Sequence, residues 1–102
     1  MKISAGSRWK SAVCATEVVV VRGSQQDTEL HCGGVPMLAM SAEKATGTAP
    51  LAGQDAGSLM GKRYGDDASG LELLCTKAGA GTLSCSGRAL LVRAVKALPS
   101  SD

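Results

Sequence analysis

Short apolar runs alternate with polar, glycine-bearing turns along the whole chain, and no segment sustains a helical period. Residues 9 to 14 read as a short strand, and Glu17 to Arg22 as a second with four consecutive valines. β-branched side chains suit a pleated surface, and a valine run of this kind predicts a strand packed on both faces. Gly23 to Asp27 is polar and supplies a turn, so Thr28 to Cys32 becomes the return strand of a hairpin. Gly33-Gly34 permits a sharp reversal, and Pro36-Met37 leaves in an extended path. Further on, Leu71, Leu73 and Cys75 fall on one face by the period of two, as do Leu83 and Cys85. Lys77 to Gly81 is the turn between them. Residues 88 to 98 alternate less cleanly and are assigned as strand, with Pro99 to Asp102 as a frayed tail.

The two stretches carry one pattern twice. Gly6-Ser7-Arg8-Trp9 matches Gly61-Lys62-Arg63-Tyr64, and Glu17-Val18-Val19-Val20 matches Glu72-Leu73-Leu74-Cys75, both at an offset of 55 residues. Leu30-His31-Cys32-Gly33-Gly34 matches Leu83-Ser84-Cys85-Ser86-Gly87 at an offset of 53. The expected fold is therefore mostly β: two repeated β-hairpin units with pseudo-twofold symmetry, residues 1–40 and 61–102, forming one compact domain. Residues 41–60, rich in Ala, Gly, Ser and Thr with Pro50 in the middle, read as the linker.

Composition narrows the function. A chain of 102 residues holds a modest core. With one Trp, one Tyr and no Phe, that core is built from Val, Leu, Met and Ala. The formal net charge is +2, and the basic residues are scattered, which argues against a nucleic-acid surface. The lack of aromatics also removes a stacking platform for single strands. No run reaches the ~18 apolar residues of a membrane span, and no secretory signal is visible. The expected compartment is the cytoplasm, where the four cysteines stay reduced or bind metal.

The end of the first unit, Leu-x-Cys-Gly-Gly-x-Pro-Met, resembles the desulforedoxin and rubredoxin-like knuckle. In that family an aromatic-led strand carries Cys-x-x-Cys, and the return strand ends in a Cys-Cys-Gly turn. Here Trp9 leads, Ser11 and Cys14 stand at the first pair, and Cys32 and Gly33 at the second. In the other half Tyr64 leads, with Asp66 and Ser69, then Cys85 and Ser86, at the same positions. The resemblance implies a metal-knuckle fold and, as the alternative function, a zinc or iron protein. A structural site of that type needs four soft ligands, and neither half has them. The metal reading therefore rests on Cys14 and Cys32 joined by His31 and a group from elsewhere. The bland reading packs the cysteines as small hydrophobes in a fold that has lost its metal.

Cys75 and Cys85 flank the Lys77–Gly81 turn and would face one another across a hairpin, which makes them a candidate redox pair. His31, the only histidine, precedes Cys32, and consecutive strand residues point apart, so it does not activate that thiol. Asp66-Asp67 and Ala78-Gly79-Ala80-Gly81 lack the context of a catalytic or phosphate-binding motif. The sequence thus predicts a non-catalytic accessory or protein-binding module without a cofactor. An uncharged Val18–Val21 strand needs covering, by the second half or by another chain, and the expected partner is a larger enzyme or a second copy.

Overall fold

The computed structural model describes residues 3–24, 27–44 and 48–93. Among these the chain is all β, and no helix is long and apolar enough to cross a membrane. Ten strands follow one another: β1 (Arg8–Lys10), β2 (Glu17–Arg22), β3 (Leu30–Cys32), β4 (Val35–Pro36), β5 (Leu38–Ala39), β6 (Arg63–Gly65), β7 (Glu72–Lys77), β8 (Leu83–Cys85), β9 (Arg88–Ala89) and β10 (Leu91–Arg93). They form a six-stranded sheet, β10-β6-β7-β2-β1-β5, and a four-stranded sheet, β4-β3-β8-β9. Every pairing is antiparallel.

The valine strand and Leu30–Cys32 do not form the expected hairpin. β2 lies between β1 and β7 in the larger sheet, whereas β3 lies between β4 and β8 in the smaller one. The physical reason is burial. Val18 and Val20 are buried and must meet the apolar face of a second layer, which Leu30, Cys32, Leu83 and Cys85 supply. A flat hairpin would have left that face in water. The other face of β2 is not packed as the valine run implied, because Val21 is 40% exposed. Leu71, Leu73 and Cys75 are buried on one face as their spacing required.

The central contacts join distant parts of the chain. β2 pairs with β7 through Val18↔Cys75, Val19↔Leu74 and Val20↔Leu73. β3 pairs with β8 through Leu30↔Cys85, His31↔Ser84 and Cys32↔Leu83. The valine strand is therefore covered by residues of the second half. Trp9 is half-buried on β1, opposite Val18 on one side and Ala39 on the other. Tyr64 takes the more buried place, and its hydroxyl accepts the Leu59 N–H at 3.0 Å.

Backbone hydrogen bonds recur along the chain. Gly6 N–H donates to Val20 O and Gly61 N–H to Cys75 O, each at 2.8 Å. Ser11 N–H donates to Thr16 O and Asp66 N–H to Leu71 O, while Met37 N–H donates to Leu30 O and Leu90 N–H to Leu83 O. Residues 48–60 do not run free. Leu51 N–H donates to Gly33 O, Thr82 N–H to Gln54 O, and Ser58 exchanges backbone hydrogen bonds with Gly79. This segment straps the turn after β3 to the crossing from β7 to β8.

Candidate thiol and ion-pair sites

Two tight turns carry the polar chemistry of the interior. In the first, Ser11 ends β1's path and turns the chain back. Its hydroxyl oxygen accepts the N–H groups of Val13 and Cys14 at 3.1 and 3.0 Å. This fold of the backbone brings Cys14 against β3, where its sulfur lies 3.7 Å from that of Cys32. The hydroxyls of Ser11 and Thr16 each lie 3.2 Å from Cys14 Sγ, and the Gly81 N–H donates to it at 3.3 Å. Lys44 Nζ donates to the Cys14 carbonyl from outside.

These surroundings split the two thiols. Burial pushes the Cys14 thiol up, but hydrogen bonding from Ser11, Thr16 and the Gly81 backbone outweighs it and brings the value down to about 6. Cys32 is fully buried, and burial together with the neighbouring Cys14 charge pushes it up to about 11. Cys14 is half-buried and the more accessible of the pair.

The loop from β7 to β8 closes over both sulfurs and leaves no room for a side chain. A Cβ on Gly81 would sit 2.9 Å from Cys32 Sγ and 3.1 Å from Cys14 Sγ. One on Gly79 would sit 2.3 Å from Thr16 Oγ1 and 2.5 Å from its backbone nitrogen. The Ala-Gly-Ala-Gly run is thus a close-approach segment, where the sequence suggested only a hairpin turn.

At the second turn, Asp66 takes the place that Ser11 holds in the first. Asp66 Oδ2 accepts from the Ser69 N–H at 3.1 Å, the Ser69 hydroxyl at 2.7 Å and the Cys85 thiol at 3.2 Å. Arg88 spans the carboxylate, donating from Nε to Oδ1 at 3.1 Å and from Nη2 to Oδ2 at 2.9 Å. The Arg88 guanidinium and these donors hold the Asp66 carboxyl well below the usual carboxylate range, against the opposing effect of burial. Burial and the adjoining carboxylate push the Cys85 thiol up.

His31 does not join Cys14 and Cys32. It alternates to the opposite side of β3, and its Nε2 lies 3.1 Å from Glu29 Oε1. There it lines a cleft of about 460 Å³ with Gln54, Thr82 and Ser84. The Cys75 and Cys85 pairing is also corrected. Cys75 sits on β7 opposite Val18 and Cys85 on β8 opposite Leu30, in different sheets, so they do not face across a hairpin. All four cysteines are free thiols.

The metal implied by the knuckle resemblance does not fit these residues. Ser11 and Gly33 replace two thiolates in the first turn, and the second offers Asp66, Ser69, Cys85 and Ser86 with a guanidinium already on the carboxylate. Among the described residues no group of three or more His, Cys, Asp or Glu side chains is placed to hold a metal ion. Comparison with known proteins found no matching family, no similar curated sequence and no similar solved structure.

The sequence reading missed Thr16, Gly79, Gly81 and Arg88. Arg88 had a signal: it stands three residues after Cys85, where a side chain leaving the turn reaches back to the first knuckle position. Thr16 and the glycines had none, because their role depends on a segment more than 60 residues away in the chain.

Proposed function

We propose that this chain is a small non-catalytic protein-binding module, built by internal duplication of a knuckle unit and pairing with a second copy through β10. The repeated hydrogen bonds at matching offsets, and strand registers that map onto themselves when the halves are exchanged, support the duplication. The binding surface follows from comparing the four sheet edges. β4, β5 and β9 are each two residues long, and β4 also carries Pro36; short edges and proline blunt strand addition. β10 is three residues long and opens on two apolar residues, with its one charge, Arg93, at the end. Its Leu91 and Val92 are 61% and 54% exposed, and its outer side carries no strand among the described residues. That edge is the observation on which the reading rests. An antiparallel edge pairs with its own copy across a twofold axis without any new surface. On this reading the protein works in a reducing compartment such as the cytoplasm.

Light scattering of the purified chain tests it. The expected mass is twice the 10.3 kDa of one chain, falling to a single chain in Leu91→Lys with Val92→Lys. A wild-type protein that stays monomeric at submillimolar concentration, or a dimer unaffected by the double substitution, refutes pairing through β10.

A further inference from the structure

We propose that Cys14 and Cys32 form a reversible intramolecular disulfide, made by a small peroxide and undone by a dithiol. The pair has the geometry of an attacking and a resolving thiol. Its sulfurs are 3.7 Å apart, so bond formation needs a closure of under 2 Å to reach the ~2.05 Å of a disulfide. Cys14 is half-buried and reachable, while Cys32 is sealed beneath it at 0% exposure. The Cys14 thiol donates to the Ser11 and Thr16 hydroxyls, each at 3.2 Å, and accepts the Gly81 N–H; with the proton gone, the same hydroxyls can turn to donate to the sulfur and favour its thiolate. The other two thiols are differently placed. Cys75 donates to the Lys77 carbonyl and Cys85 to the Asp66 carboxylate, and each is 1% exposed or less.

The chemistry balances with hydrogen peroxide as the oxidant. The Cys14 thiolate attacks one peroxide oxygen, the O–O bond breaks, and hydroxide leaves with Cys14 as the sulfenic acid. Cys32 sulfur then attacks Cys14 sulfur. The S–O bond breaks, the S–S bond forms, and the departing hydroxide takes the Cys32 proton to give water. Two thiols and one peroxide become one disulfide and two waters. A dithiol reverses the step by exchange, leaving oxidised itself. The product links the turn after β1, in the larger sheet, to β3 in the smaller one.

The test uses the full reduced chain treated with one equivalent of hydrogen peroxide. Trypsin places each cysteine in its own peptide, residues 11–22, 23–44, 64–77 and 78–88. The expected map links 11–22 to 23–44 within one chain, and the free-thiol count falls from four to two. A dithiol restores all four. Cys32→Ala should leave Cys14 as a sulfenic acid that dimedone captures; if that variant does not fold, the wild-type map decides alone. The proposal fails if all four thiols survive, if Cys14 passes to the sulfinic acid with Cys32 still free, or if the link is between chains or involves Cys75 or Cys85.

Discussion

Gly79→Ala sets two effects of opposite sign against each other. Its φ lies outside the left-handed region, so a side chain there is conformationally acceptable. By chain entropy alone, alanine should stabilise the protein by about 0.4–1 kcal/mol, because it restricts the unfolded state. The packing says otherwise. The new Cβ would lie 2.3 Å from Thr16 Oγ1, 2.5 Å from Thr16 N and 3.0 Å from Cys14 Sγ. The hydroxyl can rotate away, but the Thr16 backbone cannot, since its carbonyl accepts the Ser11 N–H at 2.8 Å and the residue is fully buried. Overpacking of this kind costs about 1–3 kcal/mol. Taking the upper part of that range and subtracting the entropic gain leaves a loss of about 2 kcal/mol. Urea unfolding followed by the fluorescence of Trp9 measures it. With a slope of about 1.5–2 kcal/mol per molar urea, the midpoint should drop by roughly 1 M. An unchanged or higher midpoint would show that the loop is not seated against Thr16 and Cys14, and the account of the thiol site would fall with it.

Two further outcomes are expected. Alkylation of Cys14 by iodoacetamide should rise to a plateau with a midpoint near pH 6, as its thiolate forms, while Cys75 and Cys85 stay unmodified in the native protein; a midpoint near 9 by mass-resolved kinetics would remove the hydrogen-bond argument. Arg88→Gln should flatten acid destabilisation: the Asp66 value is depressed in the fold, so the pair's contribution is complete above the ordinary carboxylate value of about 3.9 and is lost as pH falls below it. Identical thermal midpoints for wild type and variant from pH 7 down to pH 2 would contradict this.

The β class, the buried face of β7 and the places of β2 and β3 were legible because period-two alternation reports burial directly. Which strands share a sheet was not. A hairpin between β2 and β3 satisfies the same local pattern as the observed arrangement, and only the need to bury Val18 and Val20 against a second layer separates them. The site was partly legible. The knuckle spacing brought Cys14 and Cys32 forward, and the structure joins them. His31 failed as a partner by the alternation that the sequence already implied. Cys75 and Cys85 failed as a pair because closeness along the chain does not place them across one hairpin: β7 and β8 lie in different sheets. The guanidinium on Asp66 had its signal in the chain, since Arg88 stands three residues after Cys85, close enough for its side chain to reach back over the turn.

The pairing of β2 with β7 and of β3 with β8 also sets the order of events during folding. Val19 meets Leu74 and His31 meets Ser84, so each central contact requires the closure of a loop of more than 50 residues. Such non-local closure precedes any reward from burial and slows folding relative to a chain of local hairpins. During synthesis the valine strand emerges well before the segment that covers it. Until Leu71 to Cys75 arrive, Val18 to Val21 is an uncharged β-prone run with a free edge, open to pairing with the same run in a neighbouring chain. In the folded chain that cover comes from within, since Leu73, Leu74 and Cys75 of the second half pair with the valine strand.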